Sequence, residues 1–368
     1  MASSLNNPAW VEWMVSLIAR EPGASEPVSR VPKGGVSRQS LASTFPPDRF
    51  YCLLDELPLH LVPAPAWKLL QQDFDAKQPL FLNPDCVIST DGQLPESLLS
   101  HRNLLAGFAL QGSIAWIPGP TSTIALPFWL GPQLECLVRS LTPGKPVPAS
   151  VSENTRRLLA QSGILVPDDL IVRRPGEHEE AIQKERSLFQ ERGYAPIASL
   201  IHPFHVAALR RYYRHRIRTG TIPLGDGQSP LRYAAYNEPV ARFFHHAIAG
   251  FLSEVVGEPI EPSYVYFASY RGGAELKKHT DRAQCEFSVT LCLDFAPEPQ
   301  RESPWPIRLD TKMGTNTNSS IAVYQALGDG LAYRGTRVPH YRDKLPEGQS
   351  STSIFFHYVP ADFAGPLG

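Results

Sequence analysis

Two histidines and one aspartate in the last third of the chain have the types and spacing for metal chemistry. His279 and Asp281 stand two positions apart, and His340 follows a Gly328-Asp329-Gly330 turn and a short apolar run. Two imidazoles and one carboxylate can grip one face of an iron(II) ion and leave the opposite positions open to an organic co-substrate and dioxygen. Such a centre oxidises. With eleven histidines in the chain, chance supplies about half of one His-x-Asp pair, so the weight falls on the elements around it.

Those elements read as strands. Residues 263–270 alternate and are rich in aromatic and β-branched side chains, as in a half-buried strand. Arg271, Gly272 and Gly273 supply a turn, and Leu276 to Asp281 lead out of it. Next, Phe287, Val289, Leu291 and Leu293 alternate with Ser288, Thr290, Cys292 and Asp294, which gives a second strand. Further strands are expected over 306–309, 321–326, 331–334 and 353–359. The three candidate ligands therefore sit at strand ends of an all-β unit.

The order Tyr270-x-x-Gly273-x-x-Leu276-x-x-His279-x-Asp281, then Thr290-x-x-x-Asp294, then Gly328-Asp329-Gly330 and His340, resembles the iron(II)/2-oxoglutarate-dependent dioxygenases, the prolyl 4-hydroxylase-like branch in particular. The likeness spans about residues 200 to 359. It implies an α+β chain whose catalytic part is a double-stranded β-helix, a jelly roll with buttressing helices and a metal at its mouth. His279, Asp281 and His340 match the family's iron ligands and so form the implied catalytic set. Tyr270 falls where such enzymes place a tyrosine that hydrogen-bonds 2-oxoglutarate. The resemblance further implies Fe(II), 2-oxoglutarate as co-substrate, ascorbate as a reductant, dioxygen, and hydroxylation of a small-molecule, amino-acid or peptide substrate.

One departure matters. The family anchors the far carboxylate of 2-oxoglutarate with a basic residue about nine to twelve positions after the distal histidine, and here that window reads Gln349, Ser350, Ser351 and Thr352. A buried carboxylate without a cation is costly, so another side chain supplies the charge or the co-substrate differs. Arg342, Arg337, Arg334, Lys344 and Arg308 lie nearby. Arg342 is the first choice, because a guanidinium fork suits a carboxylate and this one directly follows a ligand. Ser353 and His357 on the last strand complete the candidate contacts to the co-substrate. A non-catalytic barrel that serves as a metal-binding or peptide-binding adaptor is the alternative, and the departure is its best support. Desaturation or ring closure would use the same ligands as hydroxylation.

Composition excludes other classes. The formal net charge is -1, so no overall field favours nucleic acid or a membrane. Five scattered cysteines without a Cys-x-x-Cys pair fit reduced thiols and a cytoplasmic setting. No run of eighteen or more apolar residues occurs. Residues 8–18 read as an amphipathic helix rather than a signal peptide, and residues 20–50 as a Pro/Ser/Gly-rich loop.

Residues 1–175 are expected to form an accessory unit and 176–368 the catalytic one, with a linker over 167–180. In the first, strands over 114–117 and 123–126, helices over 127–141 and 152–163, and a strand over 164–166 resemble a small winged-helix module that would bind peptide. In the second, helices are expected over 181–192, 204–218 and 240–252. The middle one carries Val206, Leu209, Tyr213 and Ile217 on a buried stripe and Arg210, Arg214 and Arg218 on a solvated one.

Overall fold

Alternation in the C-terminal strands builds two antiparallel sheets. The structure, a computed structural model, describes residues 45–63, 78–119, 121–167, 182–313 and 317–368. The helix expected over 8–18, most of the loop over 20–50, most of the linker and the boundary at 175 lie outside those residues. The larger sheet runs, in spatial order, β6 (Tyr194–Ile197), β13 (Gly330–Arg334), β10 (Phe287–Ala296), β15 (Ser350–Pro360), β8 (Ile260–Arg271) and β7 (Arg232–Tyr236). The smaller runs β12 (Thr317–Val323), β11 (Ile307–Met313), β14 (His340–Arg342) and β9 (Leu276–His279). Ile307 and Leu309 of the small sheet pack on Leu331 and Tyr333 of the large one, so the sheets face each other as in a jelly roll.

The two faces of the large sheet differ in kind. Val265, Phe267, Val289, Leu291, Ile354 and Phe356 point outward into one continuous apolar core with the helices. The alternate positions point inward in register. Ser288 pairs with His357 and Tyr333, Thr290 with Phe355, and Cys292 with Ser353. The interior is therefore lined by the alternate half of each strand, where Ser288, Thr290, Ser353 and His357 stand among apolar residues such as Phe355 and Leu331.

Helices cover the outer face. Upstream of them, α1 (Pro132–Ser140) and α2 (Glu153–Gln161) belong to the first half, and residues 182–192 are helical as expected. The first buttress is α3 (Pro203–Arg218). Val206, Leu209 and Tyr213 are buried as expected and Ile217 is half-buried; Arg214 and Arg218 are exposed as expected, but Arg210 is not. Arg210 is 0% exposed and pairs with Asp294 at 2.9 Å and Glu298 at 2.7 Å, while Arg214 also reaches Asp294, at 2.6 Å. The helix expected over 240–252 is two, α4 (Pro239–Ala247) and α5 (Ala249–Val256). Thr123 donates both its N–H, at 2.8 Å, and its Oγ1 hydrogen, at 3.1 Å, to the Ala247 carbonyl, so a tertiary contact captures a carbonyl at the end of α4.

In the first half, β2 (Val87–Thr90), β3 (Ser113–Ile117) and β4 (Leu126–Leu130) form a three-stranded sheet. The second strand of the expected hairpin thus lies at 126–130 rather than 123–126. The helix after it starts at Pro132 behind Gly131, not at Pro127. A proline at the first helical position needs no N–H partner, and Pro127 is tolerated in β4 because that strand is an edge. The strand after α2, β5 (Leu165–Pro167), pairs with β1 (Leu80–Leu82) instead of joining that sheet. Against α3, the carbonyls of Pro127, Leu61 and Tyr51 accept hydrogen bonds from His205 (2.9 Å), Arg210 and Arg211 (2.5 Å).

Candidate active site

His279 ends β9, His340 begins β14, and the two are cross-strand partners. Pairing of two short strands is thus what brings distant histidines to a ring separation of 4.3 Å. Asp281 is drawn in by its own N–H, which donates to the Gly335 carbonyl at 2.8 Å. Its Oδ1 lies 3.6 Å from His279 Nε2 and 3.5 Å from His340 Nε2. The ligand atoms of the three residues fall within 4.8 Å of one another, the spread that one bound cation spans.

The backbone sets both tautomers. His279 Nδ1 lies 2.7 Å from the Lys277 carbonyl and His340 Nδ1 lies 3.0 Å from the Val338 carbonyl. A carbonyl only accepts, so each Nδ1 carries the hydrogen and each Nε2 presents a lone pair to the shared point. Burial works against ionisation of Asp281, but the two imidazoles beside it, which can take a second proton on Nε2 when no cation is bound, outweigh it and hold the carboxyl at about 2. That proton, facing Asp281, raises His279, whereas burial lowers His340. An ionised carboxylate between two Nε2 lone pairs suits a divalent cation.

Behind Asp281, Ser288 Oγ donates to Oδ2 at 2.7 Å and lies 2.9 Å from His357 Nδ1. His357 is thereby placed beside the Asp281 carboxylate. Burial pushes its imidazole down to about 4, so it is neutral near pH 7.

Arg342 lies on the same face of β14 as His340, two residues on, and is buried. Its Nη1 donates to the Trp305 carbonyl at 2.5 Å, and the guanidinium sits 4.8 Å over the Trp305 ring. Nε and Nη2 have no partner among the described residues, nor does the buried Ser353 hydroxyl. Burial lowers the Arg342 pKa, while Cys292, Tyr270 and Tyr333 are near enough to raise it. Cys292 is the cross-strand partner of Ser353. A buried cation with two unmet N–H donors is what an incoming carboxylate would satisfy.

The other basic candidates are engaged elsewhere. Arg308 pairs with Asp343 at 2.6 Å, Arg334 and Arg337 with Glu286 at 3.6 and 3.1 Å, and Lys344 is exposed. Tyr270 is buried with its ring 5.2 Å from Trp305. Its hydroxyl accepts from Arg232 Nη1 at 3.4 Å.

Arg232, Ser288 and Gly335 escape a reading of the sequence, which places Trp305 only at the end of a substrate-contacting loop over 296–305. Ser288 carries a signal, since it occupies the polar set of an alternating strand whose inward face lines the site. Arg232 carries none: its partners Asp226 (2.6 Å) and Gln228 (2.8 Å) come from a preceding loop.

No protein-family model matches the chain and no curated protein matches it. Solved structures do. A Pseudomonas putida prolyl-4-hydroxylase is 16% identical, with 49% of this chain and 98% of that one covered at a TM-score of 0.39. The non-heme alpha ketoglutarate dependent carbocyclase from nogalamycin biosynthesis is 12% identical, with 50% and 87% covered at 0.41. HygX from Streptomyces hygroscopicus, with nickel, 2-oxoglutarate and hygromycin B bound, is 13% identical, with 49% and 88% covered at 0.38.

Proposed function

We propose that the chain is an iron(II)- and 2-oxoglutarate-dependent oxygenase that hydroxylates an unactivated C–H bond of a small-molecule, amino-acid or peptide substrate. One observation carries the reading: a 2-His-1-carboxylate set and a buried arginine with free donors share one barrel interior. His279, Asp281 and His340 would hold the metal. Arg342 would receive the far carboxylate of the co-substrate, with Ser353 and Tyr270 offering hydroxyls. When bound, iron with 2-oxoglutarate would supply the electrons that activate dioxygen, the oxidant, with 2-oxoglutarate leaving as succinate and carbon dioxide.

This chain's own contribution is positioning and exclusion of water. The Lys277 and Val338 carbonyls keep both imidazoles presenting Nε2. Trp305 walls the Arg342 pocket with Tyr270, Cys292 and Phe355. His279 is the most open of the three ligands, its side chain 40% exposed, so substrate would approach from that side. Residues after Gly272 and the loop over 296–305 flank this approach and would select the substrate.

The test is succinate formation from 2-oxoglutarate by purified protein with iron(II), ascorbate and air, run beside His279→Ala. Succinate from the wild type and none from the variant is expected. No succinate, together with no 2-oxoglutarate binding to the anaerobic iron form, would replace this reading with a different co-substrate or the adaptor barrel.

A further inference from the structure

The second oxygen of Asp281 sits in a closed socket. Ser288 Oγ gives its single hydrogen to Oδ2 at 2.7 Å, so the 2.9 Å contact between Ser288 Oγ and His357 Nδ1 has the histidine as donor. His357 is anchored from behind, since its carbonyl accepts from Ser263 Oγ at 2.9 Å and lies 2.8 Å from His245 Nε2. Across the carboxylate runs the backbone at Gly335. A Cβ built there would stand 2.4 Å from Asp281 Oδ2, 2.6 Å from Ser288 Oγ and 2.3 Å from the Cys285 carbonyl. The glycine is required for space: no side chain fits between that backbone and the carboxylate. Glu286 fixes this segment, accepting from the N–H of Gly335 through its carbonyl at 3.0 Å and from the Thr336 hydroxyl through its side chain.

The atoms of Asp281, Cys285 and His357 also lie within 4.8 Å of one another. The Ser288 hydroxyl already bonds two of these three residues, so the group is a hydrogen-bonded relay rather than a second cation site.

We infer that Ser288, His357 and Gly335 are positioning residues that hold Asp281 Oδ2 away from the metal and leave Oδ1 as its sole ligating oxygen. A carboxylate free to rotate could chelate through both oxygens and occupy a position that the co-substrate or dioxygen needs. Orientation of metal ligands by outer hydrogen bonds typically changes metal affinity by about 10- to 100-fold. The inference rests on the proposed metal site, and its test separates the two.

Cobalt(II) is titrated into the metal-free full-length protein, with affinity and the visible d–d spectrum as readouts. Wild type, Ser288→Ala, Ser288→Thr, Gly335→Ala, His357→Leu and His357→Asn are compared. Ser288→Ala, Gly335→Ala and His357→Leu are expected to bind about 10-fold or more weakly with altered spectra. Ser288→Thr keeps the hydroxyl, and His357→Asn keeps an N–H near the Nδ1 position, so both are expected to restore the wild-type spectrum. A role in packing alone would not give that rescue. Wild type that binds cobalt, with Ser288→Ala matching it in affinity and spectrum, would overturn the inference and leave the metal site standing. Wild type that binds no cobalt would overturn both. If Ser288→Ala fails to fold, the pair at 357 decides: His357→Leu and His357→Asn with identical spectra would overturn the inference.

Discussion

Trp305 holds Arg342 twice, with its carbonyl on Nη1 at 2.5 Å and its indole 4.8 Å from the guanidinium carbon. That grip aims a buried cation into the barrel without neutralising it. In the absence of an anion the arrangement is unfavourable, because a desolvated charge with unmet donors destabilises the fold.

Arg342→Met is therefore expected to separate stability from binding. The melting temperature of the ligand-free protein should hold or rise. The stabilisation that saturating 2-oxoglutarate gives the metal-loaded wild type, about 2.7 kcal/mol at a hundred times Kd, should vanish. A thermal-shift series with and without 2-oxoglutarate reads both. A persisting ligand shift would remove Arg342 from the co-substrate site.

Tyr270→Phe should be milder. The tyrosine hydroxyl contacts the Arg232 guanidinium, and toward a carboxylate it would make one hydrogen bond to a charged group, about 1.5 kcal/mol, so 2-oxoglutarate binding should weaken about ten-fold. Anaerobic titration of the iron form measures this. A loss as deep as that of Arg342→Met would mean that Tyr270 carries the anchoring.

Asp294 faces two guanidinium groups, and Arg210 is fully buried. Asp294→Ala leaves Arg210 with Glu298 as its remaining carboxylate and Nε without an acceptor, and should destabilise by about 1 to 3 kcal/mol in urea unfolding. Adding Arg210→Met should recover part of the loss. A double variant worse than the single one would show that the pair contributes through some other route.

Buried neutral histidines predict acid sensitivity. Burial pushes His202 to about 4 and His205 to about 3, and lowers His245 as well. Above about pH 6.5 these groups are neutral in both states and contribute nothing to the pH dependence. As pH falls below that, the unfolded chain takes up protons that the folded one refuses. Stability should then drop by about 1.4 kcal/mol per pH unit for each such histidine, until its folded pKa is reached. Urea midpoints between pH 7 and pH 5 test the sign. His205→Met should flatten part of the slope, and a flat wild-type profile would sink the prediction.

How much was legible follows from what each element owes to its neighbours. The strand at β10 announces itself by alternation, and the histidines of β9 and β14 by flanking turns. β4 hides because all five of its residues are buried, which erases alternation and leaves Pro127 looking like a helix start. The α4–α5 break hides because Thr123, far away in sequence, captures the Ala247 carbonyl. In the arginine stripe of α3 only Arg210 misleads, because a charged helical face normally meets water, as Arg214 and Arg218 do, and only the fold brings Asp294 and Glu298 against Arg210. At the site, residue type betrays the candidate ligands and Arg342. Gly335 and Ser288 are common residues whose role comes from the carboxylate they surround.

The seat of the first half on α3 has a consequence for drift. His205, Arg210 and Arg211 grip the first half through the carbonyls of Pro127, Leu61 and Tyr51, atoms that no substitution removes. The lock is written in the helix and the key is plain main chain. Sequences of the first half could diverge widely, keeping only their backbone path, while α3 continued to hold them.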